Sequence, residues 1–196
     1  MESKGIYTKE NVVNGVYIFS SSKKFVSPEF WGIHKETEKA ECAVIVTDGN
    51  ALAFYSKDIL EDDVVLLDWE KEQSGKIYDT LEKALTDADG YSNTVALADA
   101  GSEIAKEVLK LDLCGLKWHI PTLGELQSGY DNKAMLCAAL IISGKEYIKD
   151  LWFWTSTRRS DKSNFVFYWL DGDWSINGQD GVNRVRPVSA FSLSTL

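Results

Sequence analysis

The chain has 196 residues, 44% hydrophobic and 26% charged, enough to bury a core in one domain or two small ones. A formal net charge of -9, with no Lys or Arg run long enough to follow a phosphate backbone, argues against nucleic acid as a partner. The longest apolar run of note, residues 138–143, falls far short of the ~20 residues of a bilayer span, so membrane insertion is not expected.

The chain opens on Met1-Glu2-Ser3-Lys4-Gly5-Ile6-Tyr7, in which no apolar run follows the charges. It therefore reads as neither a secretory signal nor a lipoprotein leader, and synthesis in the cytoplasm is expected, with a phage particle or cell surface reachable by other routes. Short β-branched and aromatic runs follow at 15–19, 43–46, 51–54 and 64–67. They predict antiparallel strands, the second and third joined by a hairpin at Asp48-Gly49-Asn50. Residues 1–75 are thus read as a β-rich N-terminal segment.

From Lys76 the pattern turns helical. Residues 78–85 predict a first helical stretch, and Ile104, Ala105, Val108, Leu109 and Leu111 recur at helical spacing within a second, over 93–111. Thr122, with Glu125 three positions on, has the form of a capping box and predicts a helix start. A further helix is predicted over 131–142, ended by Ser143-Gly144. Strands return at 151–157, 164–170, 173–177 and 183–191. The order predicts an α+β fold.

Chemistry-bearing residues are sparse. His34 and His119 lie far apart, and His119 beside Trp118 reads as a core histidine rather than a base. Cys42, Cys114 and Cys137 form no close pair and read as free thiols. Asp58, Glu61, Asp62 and Asp63 make a dense acidic stretch that turn solvation explains more simply than a cation. No metal, cofactor or enzymatic activity is expected.

Trp118-His119-Ile120-Pro121-Thr122 with Glu125-Leu126, then Trp154-Thr155-Ser156-Thr157, Asp171-Gly172 and Val185-Arg186-Pro187-Val188 resemble the C-type-lectin-fold domain of gut bacterial and phage proteins. That domain is similar to the variable proteins of diversity-generating retroelements and, more distantly, to the formylglycine-generating-enzyme fold. The resemblance covers roughly residues 76–191. It implies a C-type lectin fold with two main helices and antiparallel strands over 76–196. It also implies a binding region at about 151–191, rewritten in retroelement systems by mutagenic reverse transcription at adenines. Formylglycine chemistry, which depends on a C-terminal cysteine pair, is not expected, because no cysteine follows Cys137. Calcium-dependent sugar binding is not expected either, since the Glu-Pro-Asn, Gln-Pro-Asp and Trp-Asn-Asp signatures are absent.

Strand alternation places Phe165, Phe167 and Trp169 on one side and Val166, Tyr168 and Leu170 on the other, both apolar. The expected ligand-binding face comprises Arg158, Arg159 and Asp161 in a polar turn, Val166, Tyr168 and Leu170 on the strand, and Asp173, Ser175, Asn177, Asp180 and Asn183 beyond it. Arg and Tyr supply binding energy at interfaces and small polar residues adapt around them. Trp118, Trp154, Trp169, Val185 and Val188 read as framework, with Arg186 bracing a loop through a buried ion pair. The expected function is recognition of a protein or glycan ligand, compatible with an oligomer. The alternative is a structural subunit of a phage virion or appendage that uses the same face for assembly.

Overall fold

The computed structural model describes residues 4–196; Met1, Glu2 and Ser3, which head the segment read as lacking a leader, lie outside the described residues. It is an α+β protein with antiparallel sheets. Its main sheet contains β1 (Ile6–Tyr7), β2 (Gly15–Ser20), β3 (Phe25–Val26), β4 (Ala40–Thr47), β5 (Asn50–Phe54) and, from the far end of the chain, β11 (Val188–Ser192). The order is β1-β3-β2-β4-β5-β11. Between β5 and β11 run β6 (Val64–Val65), β7 (Trp152–Ser160), β8 (Ser163–Tyr168), β9 (Trp174–Gly178) and β10 (Val182–Asn183). A β7-β8-β9 sheet and a small β6-β10 ribbon result.

The hairpin predicted at Asp48-Gly49 forms: Thr47 faces Asn50 across β4 and β5, and both turn residues take positive φ (48° and 78°), as a two-residue hairpin turn requires. Its strands carry almost unbroken apolar runs because both faces of the sheet are covered. Ala43 and Ile45 of β4 join one core, while Cys42, Val44 and Val46 join the other.

Helices make the two covers. α1 (Trp31–His34) and α2 (Leu81–Ala84) are single turns; α3 (Gly90–Asp99), α4 (Glu103–Leu109), α5 (Leu123–Asp131) and α6 (Lys133–Ile142) are longer. α3 and α4 supply Leu97, Ile104, Ala105 and Val108 to the core holding Trp118, Trp154 and Val166. From α5 and α6 come Leu123, Leu126, Leu136, Ala139 and Leu140, in the opposite core with Phe165, Phe167 and Trp169.

Several expectations are corrected by this architecture. The helix predicted over 93–111 is two helices, broken where Gly101 adopts φ of 97° and Ser102 caps the next one through its hydroxyl to the Ala105 N–H. In place of two main helices there are four among the described residues. The strand expected over 64–67 is only Val64–Val65, and the one over 183–191 splits into β10 and β11 around Arg184–Pro187. The helix start at Thr122 holds in full: its hydroxyl accepts from the Glu125 N–H, and the Glu125 carboxylate accepts from the Thr122 N–H.

Candidate functional site

The C-terminal sheet is built on a buried joint. Thr157, in the irregular stretch of β7, accepts from the Leu123 N–H at 3.0 Å and donates to Asp87 at 2.9 Å. Ser156 donates its N–H to the Pro121 carbonyl at 2.7 Å. The Trp-Thr-Ser-Thr segment therefore fastens the sheet to the start of α5. Asn164 of β8, fully buried, donates to the Thr155 carbonyl and accepts from Gln179, leaving its amide satisfied inside the core.

Arg186 fixes the other side. Its Nε meets Asp58 at 2.7 Å with both side chains fully buried, and its remaining donors reach the carbonyls of Tyr55, Glu146 and Tyr147. The loop brace expected from sequence is present. Burial pushes the Asp58 carboxyl above the ordinary carboxylate range even though Arg186 opposes the shift. Burial likewise lowers the Arg186 pKa against the pull of Asp58. Desolvation thus outweighs the attraction within the pair, which acts as a locating device for two loops rather than a source of stability.

The expected ligand face divides on this frame. Val166 is buried in the core with Trp154 and Val185, to which α3 and α4 contribute and against which Val64 of β6 packs; the Trp154 indole donates to the Val64 carbonyl at 2.7 Å. Arg158 is buried too, its guanidinium donating to the Gly75 carbonyl at 2.6 Å and pairing with Asp161 at 3.2 Å. Burial lowers the Arg158 pKa, partly offset by Asp161. Asn183 is buried within the ribbon, paired with Val64. These three residues are corrected from ligand contacts to framework. Both faces of the 165–170 strand are apolar because the chain itself covers both, not because one awaits a ligand.

The rest of the expected face is accessible and partly convergent. Tyr168 and Asp173 are joined by a backbone bond of 2.7 Å, Val166 stands opposite Ser175, and Asn164 opposite Asn177. Tyr168, Asp173, Ser175 and Asn177 thereby share one margin of the sheet, next to a half-buried stack of Trp152 on Tyr168 with centroids 4.8 Å apart. Leu170 and Asp180 are exposed at opposite ends of β9. Arg159 and Asp161 sit apart, at the β7-β8 turn.

Two residues absent from the expected face are prominent. Trp174 and Ile176 are 40% and 45% exposed on β9, the outer strand of its sheet. They stand opposite Phe167 and Phe165 and so extend the apolar floor of the α5-side core out to solvent; Trp174 lies 5.8 Å from the Phe165 ring. The signal was the alternation Trp-Ser-Ile-Asn, which carries its apolar residues on the side opposite to Ser175 and Asn177.

His119 is buried, with its Nε2 2.9 Å and 3.1 Å from the two oxygens of Glu125. Glu125 lines a cleft of about 320 Å³ between the main sheet and α5, together with Leu52, Leu85, Asp87 and Ser128. The Asp87 carboxylate in that cleft already accepts from the Asp89 N–H, Asn93 and Thr157. In the acidic stretch, Asp58 turns inward to Arg186 while Asp63 pairs with Arg184 at 3.0 Å, so its members do not converge. No group of three His, Cys, Asp or Glu side chains placed to hold a metal occurs among the described residues. The thiols of Cys42 and Cys114 are pushed up by burial. Among the described residues, no helix is long and apolar enough to cross a membrane.

No family model matches the chain, and no curated protein matches it. A solved structure similar to it is a fimbrial protein from Bacteroides ovatus ATCC 8483, at 14% identity and a TM-score of 0.46, with 97% of this chain and 46% of that one covered. The chain thus spans less than half the length of that protein, and a likeness at this level transfers neither fold nor function.

Proposed function

We propose that the chain is a non-enzymatic recognition module of C-type lectin fold that presents the outer margin of its C-terminal sheet to a protein or glycan ligand. The observation that carries this reading is the contrast within residues 163–180. Asn164, Phe165, Val166, Phe167 and Trp169 are buried, whereas Leu170, Asp173, Trp174, Ser175, Ile176 and Asp180 are exposed on a rigid support. A rigid frame that displays variable side-chain types is what adaptable recognition needs, since little conformational entropy is lost on binding. The resemblance to retroelement variable proteins makes diversification of residues 151–191 part of the proposal.

Two experiments test it. A near-copy of the segment encoding residues 151–191, differing mainly at adenines and lying beside a reverse-transcriptase gene, would support diversification; a locus without one removes that element. Screening the protein on glycan and protein arrays, with Tyr168→Ala and Asp173→Lys as companions, tests recognition itself. The reading requires a ligand whose capture drops in both variants, and it fails if capture is indifferent to them.

A second reading, a subunit of a larger assembly, is favoured by α6. Its outward side bears exposed Ala134, Met135, Ile141 and Ile142, an uncharged apolar surface on a helix that is apolar nearly all round. Stable oligomers lost on Ile141→Glu would favour this reading.

A further inference from the structure

Strand β9 is an open sheet edge, and the direction of its free backbone groups follows from the register. The Tyr168 N–H donates to the Asp173 carbonyl and the Gln179 N–H to the Lys162 carbonyl. In an antiparallel ladder, hydrogen-bonded pairs alternate with non-bonded ones, so Asp173, Ser175 and Asn177 direct their backbone at β8, as Gln179 does its N–H, while the Gln179 carbonyl accepts from Leu66 and Leu67 beyond the end of β9. Trp174 and Ile176 then direct both N–H and C=O away from the sheet. Gly178 directs its N–H the same way, while its carbonyl is taken by Gly181 at 2.9 Å. Proteins guard such edges with proline, lysine, bulges or a covering loop. This one has none of them over Trp174-Ser175-Ile176, and carries two exposed apolar side chains instead.

Charge narrows the occupant. Asp171 and Asp173 stand at one end of β9 and Asp180 at the other, all exposed and without an ion pair among the described residues. Lys133 and Lys162 are engaged elsewhere, Lys133 with Asp150 and the carbonyls of Trp169 and Leu170, Lys162 with the carbonyls of Trp69 and Lys71. A second copy pairing antiparallel along β9 would bring Asp180 of each chain toward Asp171 and Asp173 of the other, adding like-charge contacts to a chain of net charge -9. An extended segment with basic residues at both ends meets complementary charge instead.

We infer that the β9 edge accepts, by strand addition, an extended segment of a partner protein with apolar residues at alternate positions and Lys or Arg beyond both ends. The partner segment completes the backbone bonds of Trp174 and Ile176, and its apolar side chains lie beside theirs. This inference rests on the recognition reading and deepens it by naming the partner class.

The test uses the full chain and a blocked heptapeptide of sequence Lys-Val-Thr-Val-Thr-Val-Lys, followed by backbone amide shifts and amide exchange. Saturable shifts confined to residues 171–180, with slowed exchange at Trp174 and Ile176, are expected. The same peptide with Glu at both ends should bind roughly 10-fold more weakly, as a few exposed ion pairs imply. Ile176→Pro should abolish binding and keep the fold, because the N–H it removes faces outward. Should that variant not fold, a peptide N-methylated on the edge facing β9 gives the same reading by failing to bind. Shifts elsewhere, equal binding of Lys- and Glu-ended peptides, or concentration-dependent pairing of β9 with a second copy would each overturn the inference. If β9 ignores the peptide while array capture remains sensitive to Tyr168→Ala, the strand-addition proposal falls and the recognition reading stands.

Discussion

Strands β8 and β9 are paired residue for residue, yet one is largely enclosed and the other is the most exposed strand of its sheet. Asn-Phe-Val-Phe in β8 is buried on both faces, one against α5 and the other in the core that holds Trp154, Val185 and the residues of α3 and α4. Trp-Ser-Ile-Asn in β9 is apolar on one face only, and both its faces reach past the covers. The polar face of β9 is written in its sequence, but the exposure of Trp174 and Ile176 depends on how far the covering layer reaches, which local sequence does not encode. A side chain on a strand is core or contact surface according to what lies over it.

The largest effect expected from this contrast is in β8. Val166→Asp would place a charge between Trp154 and Val185 with no partner, and the variant should fail to fold. Phe167→Ala, at a fully buried ring, should cost about 3–5 kcal/mol in urea unfolding. A loss below about 1 kcal/mol would mean that this face is open to solvent.

The framework beneath the two strands comes next. Arg186→Met leaves Asp58 buried without its cation and should cost about 3–5 kcal/mol near pH 7. The sign with pH follows from the direction of the shift. The Asp58 pKa is raised in the folded protein, so its neutral form is the better tolerated one, and ionisation costs stability as pH rises through that raised value. Without Arg186 the pKa rises further, so the variant should recover part of its deficit relative to the parent on going from pH 7 to pH 5. A deficit equal at both pH values would contradict this. Thr157→Val, which removes both the acceptor for Leu123 and the donor to Asp87, should cost about 1–3 kcal/mol.

The smallest effect is expected in β9. Trp174→Ala and Ile176→Ala should each change stability by under about 1 kcal/mol, since much of each side chain remains in water when folded. Losses matching those of Phe167→Ala would show that β9 is covered in solution.

Where an element is decided by a few adjacent residues, it was legible in the sequence. The capping box at Thr122 and Glu125 and the hairpin at Asp48-Gly49 are of this kind, as is the Gly144 stop of α6, with φ of 74°. The break between α3 and α4 was also written locally, in Gly101-Ser102, but helical spacing across it hid the interruption. The pairing of β11 with β5 joins residues more than 130 positions apart, and only the assembled sheet reveals it. The same holds for the candidate site. Tyr168, Asp173, Ser175 and Asn177 come together because a strand and its neighbour are close in sequence. Arg158 and Val166 were misplaced because Gly75, which accepts from Arg158, and β6, which packs against the core holding Val166, come from the N-terminal part of the chain. Trp174 and Ile176 were passed over because apolar residues on a strand are ordinarily core.

Residue-resolved amide exchange along β9 in the free protein tests most directly whether this strand is an open edge. Trp174 and Ile176 should exchange at near-unprotected rates while Ser175 and Asn177, bonded to β8, are slowed. Equal protection at all four amides would show that the edge is already occupied or covered, and would contradict its role as a presented surface.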